Sequence, residues 1–165
     1  AFGSGENAVK IRAVYADMPV DVAFAENTCQ GLGSRIAPLS REDALNFLLH
    51  FTQSAFRYQT DGQQFGRERS LFPEETFYYP YSDCEDRAIF FSWLVRRLLK
   101  QEIVLLHYSD HVATGVRIEK EIPGSYIRTG DKRYLICDPT YIGADIGQCM
   151  PGYEKEKPRI IKLNQ

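Results

Sequence analysis

The segment 82–100 constrains the fold of this chain more than any other part of the sequence. Its apolar positions fall at 84, 88, 91, 95 and 98, in steps of four and three that place them on one face of a helix. Ser82 and Glu85 have the spacing of a capping box, so we expect a helix over residues 83–100. Cys84 lies in the first turn of this apolar face, beside backbone N–H groups that a helix leaves unpaired.

The chain after residue 100 has the pattern of a strand meander. The expected strands cover residues 103–108, 111–118, 125–128 and 133–138. Turn residues at 109–110 and 129–131 favour antiparallel pairing. Earlier in the chain we expect a helix over residues 40–58, a strand over 9–15 and a long functional loop over 59–80. Helices followed by a strand meander indicate the α+β class.

Two further residues, His111 and Asp138, indicate a chemical role for Cys84. His111 opens one expected strand and Asp138 closes another, each 27 residues beyond the previous member of the set. The small residues Ala113 and Gly115 share the strand face of His111, so we expect the helix headed by Cys84 to approach the sheet there. Cysteine, histidine and aspartate on helix, strand and strand are typical of thiol-dependent acyl-transfer enzymes.

Each member of this set has an expected role. His111 would act as general base and acid, and Asp138 would accept the imidazole N–H and fix its tautomer. For His50 and His107 we expect ordinary structural roles, and Asp110 and Asp145 are weaker rivals of Asp138. The acidic neighbours of Cys84 oppose thiolate formation, so its activation would depend on His111.

An oxyanion donor is also required by this chemistry. The backbone N–H of Cys84 is one candidate. Gln53 is another, because it is an amide on the otherwise apolar helix stripe of Leu45, Leu49 and Phe56. A buried glutamine that only hydrogen-bonds the backbone explains the same pattern equally well.

Composition excludes several other classes of function. The 165 residues carry a formal net charge of −2 with both signs interspersed, which argues against a nucleic-acid partner. No apolar run approaches the length of a membrane span. The four cysteines form no CxxC pair, so neither a zinc ribbon nor a disulfide scaffold is expected. The chain opens on Ala-Phe-Gly-Ser-Gly, as expected of a processed protein or an excised domain.

Three strings carry a resemblance to a known family. DCEDRA around Cys84, HVATGV from His111 and ICDPT around Asp138 resemble the bacterial transglutaminase-like cysteine peptidases of the transglutaminase-like superfamily, and Phe65-Gly66 resembles an upstream Trp-Gly of that branch. The resemblance covers about two thirds of the chain, from Thr52 to about residue 151. It implies a papain-like core, a Cys84–His111–Asp138 triad, no metal or organic cofactor, and a periplasmic or cell-surface location. It also sets Gln53 near the family's oxyanion amide.

The expectation is therefore a papain/transglutaminase-like α+β domain over residues 41–165, with residues 1–40 as an arm packed on it. Its nucleophile helix would pack on an antiparallel sheet, and its substrate would be a protein or peptide amide. The alternatives are transglutaminase-type cross-linking, or a non-catalytic module on the same fold that binds a peptide or cell-wall glycan. Arg87 and the aromatic residues Tyr78, Tyr79 and Tyr81 depart from the family pattern, which leaves the substrate preference open.

Overall fold

The computed structural model describes residues 5–165, and within that range helices come first and a sheet follows. The helices are α1 (Glu6–Asp17), α2 (Val22–Ile36), α3 (Arg41–Ala55), α4 (Asp61–Phe65), α5 (Pro73–Tyr78) and α6 (Cys84–Leu94), the last continued by a π-helical turn (Val95–Leu99). The strands are β1 (Arg57–Tyr58), β2 (Tyr81–Ser82), β3 (Ile103–His107), β4 (Val112–Arg117), β5 (Tyr126–Thr129), β6 (Lys132–Cys137) and β7 (Arg159–Lys162). The predicted α+β class is confirmed.

The strands β3 to β7 form an antiparallel sheet in the order β5-β6-β4-β3-β7, while β1 and β2 form a separate short parallel pair. The register between β4 and β6 pairs Thr114 with Cys137 and Arg117 with Tyr134. Since the two strands run in opposite directions, the start of β4 lies beside the end of β6. The residues that flank these two strand ends, His111 and Asp138, are thereby brought together.

Helix α6 is buried along its whole length and packs on one face of the sheet. The cluster it forms includes Val112, Val116 and Leu135. The opposite face of the sheet forms a second cluster with Ala113 and Tyr134. The helix thus lies on the face of Val112 and not on the small-residue face, which corrects the expectation from sequence.

The small residue at position 115 has a different purpose from the one expected. A Cβ atom at Gly115 would lie 2.9 Å from the Cβ of Tyr134 and 3.2 Å from Val104 Cγ2. Gly115 therefore makes room for a tyrosine on the neighbouring strand, on the sheet face that α6 does not cover.

The N-terminal segment is helical where a strand was expected. In α1, Val9, Ala13 and Ala16 are spaced by four and three residues and pack on the main core. The apparent alternation over residues 9–15 was misleading because burial follows this helical spacing. The division into an arm and a catalytic domain at residue 40 stays a prediction, and of the arm, residues 1–4 lie outside the described residues.

Two other regions differ from the expectation. The segment expected to be a long loop, 59–80, contains α4 and α5; α4 ends at Gly66 in the left-handed conformation (φ 70°), and α5 begins at Pro73. Strand β7 was missed by the sequence analysis, and it pairs with β3 at one edge of the sheet.

Arg87 holds α6 against the end of α3. Its side chain is fully buried, and its guanidinium donates to the carbonyl oxygens of Phe56 (2.9 Å) and Gln53 (3.4 Å) and to Ser82 Oγ (3.1 Å). The last carbonyls of a helix have no partner within the helix, so a buried helix end needs a donor from elsewhere. Arg87 supplies that donor, which gives this buried arginine a structural role.

Replacing Arg87 by leucine should destabilise the protein by roughly 2–4 kcal/mol, because two buried carbonyl groups lose their donor. Arg97→Leu is the matched control, since Arg97 is exposed on the π-helical turn. The measurement is urea unfolding, with a lower midpoint at an unchanged m value. Equal midpoints for the two variants would show that Arg87 does not stabilise this helix end.

Candidate active site

The start of α6 is fixed by an aspartate. Asp83 is the N-cap residue, and its Oδ1 accepts the backbone N–H groups of Glu85 (2.9 Å) and Asp86 (3.1 Å). Asp86 returns the bond by accepting the backbone N–H of Asp83 at 3.2 Å. The expected capping box is therefore present but shifted by one residue, from Ser82 to Asp83, and Cys84 is the first residue of the helix.

The thiol of Cys84 lies at the junction between α6 and β4. The side chain is 2 % exposed, and the backbone N–H of Val112 lies close enough to the sulfur to lower the pKa of the thiol. Val112 directly follows His111, so this proximity places the sulfur near the strand end that carries the histidine. Burial raises the pKa of Cys84 most, and the charges of Asp83 and Glu85 raise it further.

His111 and Asp138 form a buried pair. His111 Nε2 lies 2.7 Å from Asp138 Oδ2, and the two residues are 5 % and 1 % exposed. Asp138 Oδ1 accepts the backbone N–H groups of Thr140 (2.9 Å) and Tyr141 (3.2 Å). These bonds orient the carboxylate. Because Nε2 is used by Asp138, Nδ1 is the ring nitrogen left to serve the thiol.

Gln53 lies behind this pair and holds the loop that follows Asp138. Its Nε2 donates to the carbonyl oxygens of Asp138 and Ala144, each at 3.0 Å, and its Oε1 accepts the backbone N–H of Gly143 at 3.1 Å. Both amide hydrogens are thus directed at loop carbonyls. These bonds give Gln53 a positioning role, and they lend no support to the expected oxyanion role.

The structure shows the surroundings of the weaker candidates His50, His107 and Asp110. His50 pairs with Asp145 at 2.9 Å on the surface. His107 lies within β3, where burial lowers its pKa. Asp110 accepts a hydrogen bond from the hydroxyl of Tyr153 at 2.7 Å.

Carboxylates beside Cys84 form a group that the sequence analysis did not assign to any ligand. Among residues 5–165, Asp61, Asp83 and Asp86 are all buried and each offers an oxygen within 4.8 Å of the others. Burial raises the pKa of Asp61 to about 6, and it likewise raises the pKa values of Asp83 and Asp86. Asp61 Oδ1 is buried without a hydrogen-bond partner in the described part of the chain. This oxygen could therefore contact a ligand bound at the cluster.

The donor set favours one class of ligand. Carboxylate oxygens are the preferred ligands of hard divalent cations such as Ca²⁺ and Mg²⁺, so the cluster could hold a cation of this kind. A cavity of about 590 Å³ opens beside Asp61, and its lining includes the carboxylates of Glu68 and Glu85 and the cationic side chains of Arg12, Arg67 and Arg69. The residues present therefore fit a divalent cation, although no metal was expected from the sequence. The sequence shows that Asp83 and Asp86 are close in the chain. It does not show that Asp61 joins them, because Asp61 approaches them only in the folded structure.

Addition of Ca²⁺ should raise the melting temperature of the protein. At a concentration 100-fold above Kd the stabilisation is about 2.7 kcal/mol, or roughly 5–10 °C for a chain of this size. Mg²⁺ is tested in parallel, and EDTA should reverse the effect. The measurement is a thermal melt with and without the cation.

Asp61→Asn should abolish most of this shift, while Asp131→Asn, at an exposed turn position, should leave it unchanged. The cation-induced shift is compared and not the absolute melting temperature, since removing one of several repelling carboxylates can itself stabilise the protein. A shift of equal size in both variants would contradict a site at Asp61.

Comparison with known proteins adds a distant structural likeness. No family model matches the chain, and no curated protein matches its sequence. Among solved structures, LapG from Legionella pneumophila is similar to 90 % of this chain over 80 % of its own length, with 18 % sequence identity and a TM-score of 0.49. A likeness at this level decides neither family nor activity, so the function is argued from the geometry of the site.

Within residues 5–165, no helix combines the length and the apolar character needed to cross a membrane.

Proposed function

We propose that this chain is a thiol-dependent acyl-transfer enzyme that hydrolyses protein or peptide amide bonds, with Cys84, His111 and Asp138 as its catalytic residues. The observation that carries the proposal is the buried 2.7 Å bond between His111 and Asp138, at the strand end where Val112, the residue after His111, lies near Cys84. We include in the proposal a papain-like core of the transglutaminase-like kind, supported by the motifs around these residues.

The geometry supports a definite sequence of proton transfers. His111 Nδ1 takes the proton of Cys84 Sγ, and the sulfur attacks the carbonyl carbon of the substrate amide. The imidazolium then donates this proton to the departing amine, which leaves a thioester on Cys84. Water attacks the thioester, giving up a proton to His111, and the acid is released as the thiol recovers it. Asp138 accepts the N–H of the imidazole throughout and stabilises the imidazolium.

The tetrahedral intermediate needs a donor for its negative oxygen. Two N–H groups of the first turn of α6, those of Glu85 and Asp86, are already bound by the Asp83 side chain. The N–H of Cys84 is the donor we propose, because it lies at the positive end of α6 next to the reacting sulfur. Gln53 is left out of this oxyanion site, since its amide binds the loop after Asp138.

The acidic cluster would affect this site through its charge. Asp83 and Glu85 raise the pKa of Cys84, so they disfavour the nucleophilic thiolate. A divalent cation held by Asp61, Asp83 and Asp86 would offset that negative charge next to the thiol.

Incubation with a panel of peptide amides and activated acyl esters should add one acyl group to the intact mass of the protein. We expect the adduct on Cys84, with slow loss by hydrolysis in water and transfer to an added amine only if the enzyme cross-links. Cys84→Ala should remove the adduct, whereas Cys29→Ala, which deletes a half-buried thiol on α2, should retain it. Adducts on other cysteines of the parent protein would refute the assignment of the nucleophile.

His111→Ala should slow the alkylation of Cys84 by iodoacetamide at pH 7 at least roughly tenfold, because the acidic neighbours disfavour the thiolate and the imidazole that offsets them is lost. His50→Ala is the control, since His50 lies on the surface and pairs with Asp145. The rate is followed by peptide mass spectrometry at residue 84. An unchanged rate in His111→Ala would mean that the histidine does not activate this thiol.

A further inference from the structure

We propose that Tyr153 is a positioning residue for His111, with its ring packed on the imidazole and its hydroxyl anchored beside it. This inference rests on the proposed function for its consequence in catalysis. It concerns residues 150–158, which we name the C-terminal strap and to which the sequence analysis gave no role.

The aromatic contacts place Tyr153 directly against His111. The ring centroids of Tyr153 and His111 are 5.0 Å apart with an interplanar angle of 33°, and Tyr108 lies 6.2 Å from His111 and 5.1 Å from Tyr153. The three distances form a nearly equilateral triangle, so both tyrosines lie toward the same side of the imidazole.

The strap is bonded to the turn that carries His111. The hydroxyl of Tyr153 donates to Asp110 Oδ1 at 2.7 Å. Glu156 accepts the backbone N–H of Ser109 at 2.5 Å and its hydroxyl at 3.2 Å. Both anchors fall on residues 109 and 110, which directly precede His111. The strap therefore restrains the turn as well as the ring.

Tyr153 also lies within electrostatic range of the proposed nucleophile. Its pKa is raised mainly by the hydrogen bond to Asp110 and by burial, and the charge of Cys84 raises it further. Tyr153 thus packs on His111 and lies within range of the charge of Cys84.

Such a restraint matters because the proton transfer depends on the orientation of the imidazole. The Nε2–H must point at Asp138 while Nδ1 meets the sulfur, and a hydrogen bond weakens steeply as its angle departs from linear. A misplacement of about 1 Å in a catalytic group can cost roughly 10²-fold in rate. His111 sits at the mouth of β4, after an exposed turn, so the strand alone fixes it from one side only.

The test compares Tyr153→Leu, which removes the ring, with Tyr153→Phe, which keeps it. We expect Tyr153→Leu to lower kcat by roughly 10- to 100-fold with KM nearly unchanged, and Tyr153→Phe to retain most of the activity. Tyr126→Leu is the matched control: Tyr126 is a half-buried tyrosine on β5 whose hydroxyl donates to a backbone carbonyl at 2.6 Å. Comparable losses in Tyr153→Phe and Tyr153→Leu would overturn the role of the ring.

A second readout separates this inference from the proposed function. The ¹⁵N and ¹H signals of the His111 imidazole report its orientation and its bond to Asp138 whether or not the protein turns over any substrate. We expect Tyr153→Leu to shift these signals and to speed the exchange of the Nε2 proton with water, whereas Tyr153→Phe and Tyr126→Leu retain the parental signals. Parental signals in Tyr153→Leu would overturn the inference even if the protein is an active enzyme. If the His111 signals change as expected but Cys84 is never acylated, the proposed function is wrong and the positioning role of Tyr153 still holds.

Glu156→Ala provides the same test if Tyr153→Leu does not fold. It releases the strap from Ser109 without altering any ring, and should speed exchange of the His111 Nε2 proton. Exchange as slow as in the parent would show that the strap does not restrain His111.

Discussion

The cap of α6 by Asp83 is the interaction on which the site depends. One carboxylate oxygen binds two N–H groups of the first helical turn, and this defines where the helix begins and therefore where the Cys84 sulfur lies. The same carboxylate is buried beside Asp61 and Asp86, in a place where charge is unfavourable. The residue that caps the helix is thus also one whose charge raises the pKa of Cys84. Helix initiation and formation of a thiolate at Cys84 are therefore in conflict here, and in the proposed mechanism the imidazole or a bound cation would offset this charge.

The second half of the site follows from strand pairing. Antiparallel pairing of β4 with β6 joins the end of one strand to the start of the other, so residues 27 positions apart meet without any long connection. The Asp138 carboxylate is then oriented by the first two N–H groups after Pro139. Local turn geometry and sheet register together produce the His111–Asp138 bond.

Much of this arrangement could be predicted from the sequence, because it depends on local signals. The period of the apolar residues in α6, the turn residues between strands and the Asp-Pro at the end of β6 each act over a few neighbours. They predicted the α+β class, the antiparallel strands and the residues at their ends. Helix α1 was misread because its spacing is revealed only by what it packs on.

The features that sequence did not reveal depend on distant contacts. Asp61 joins Asp83 and Asp86 only in the folded structure, and no sequence pattern near residue 61 predicts this cluster. The amide of Gln53 could equally have met the sulfur or the loop, and only the position of residues 138–144 decides between them. Tyr153 likewise gains its place from the path of the C-terminal strap across the sheet end.

The bonds of Arg87 and Gln53 link the parts of the site into one mechanical unit. The side chain of Arg87 on α6 donates a hydrogen bond to the backbone carbonyl of Gln53 on α3. The side chain of Gln53 in turn donates to the backbone carbonyl of Asp138. A displacement of α3 would therefore affect two parts of the site. It would move the sulfur of Cys84 through Arg87 and the carboxylate of Asp138 through Gln53. Helix α3 therefore supports both parts of the site, and the relative placement of the thiol and the imidazole depends on the rigidity of this helix.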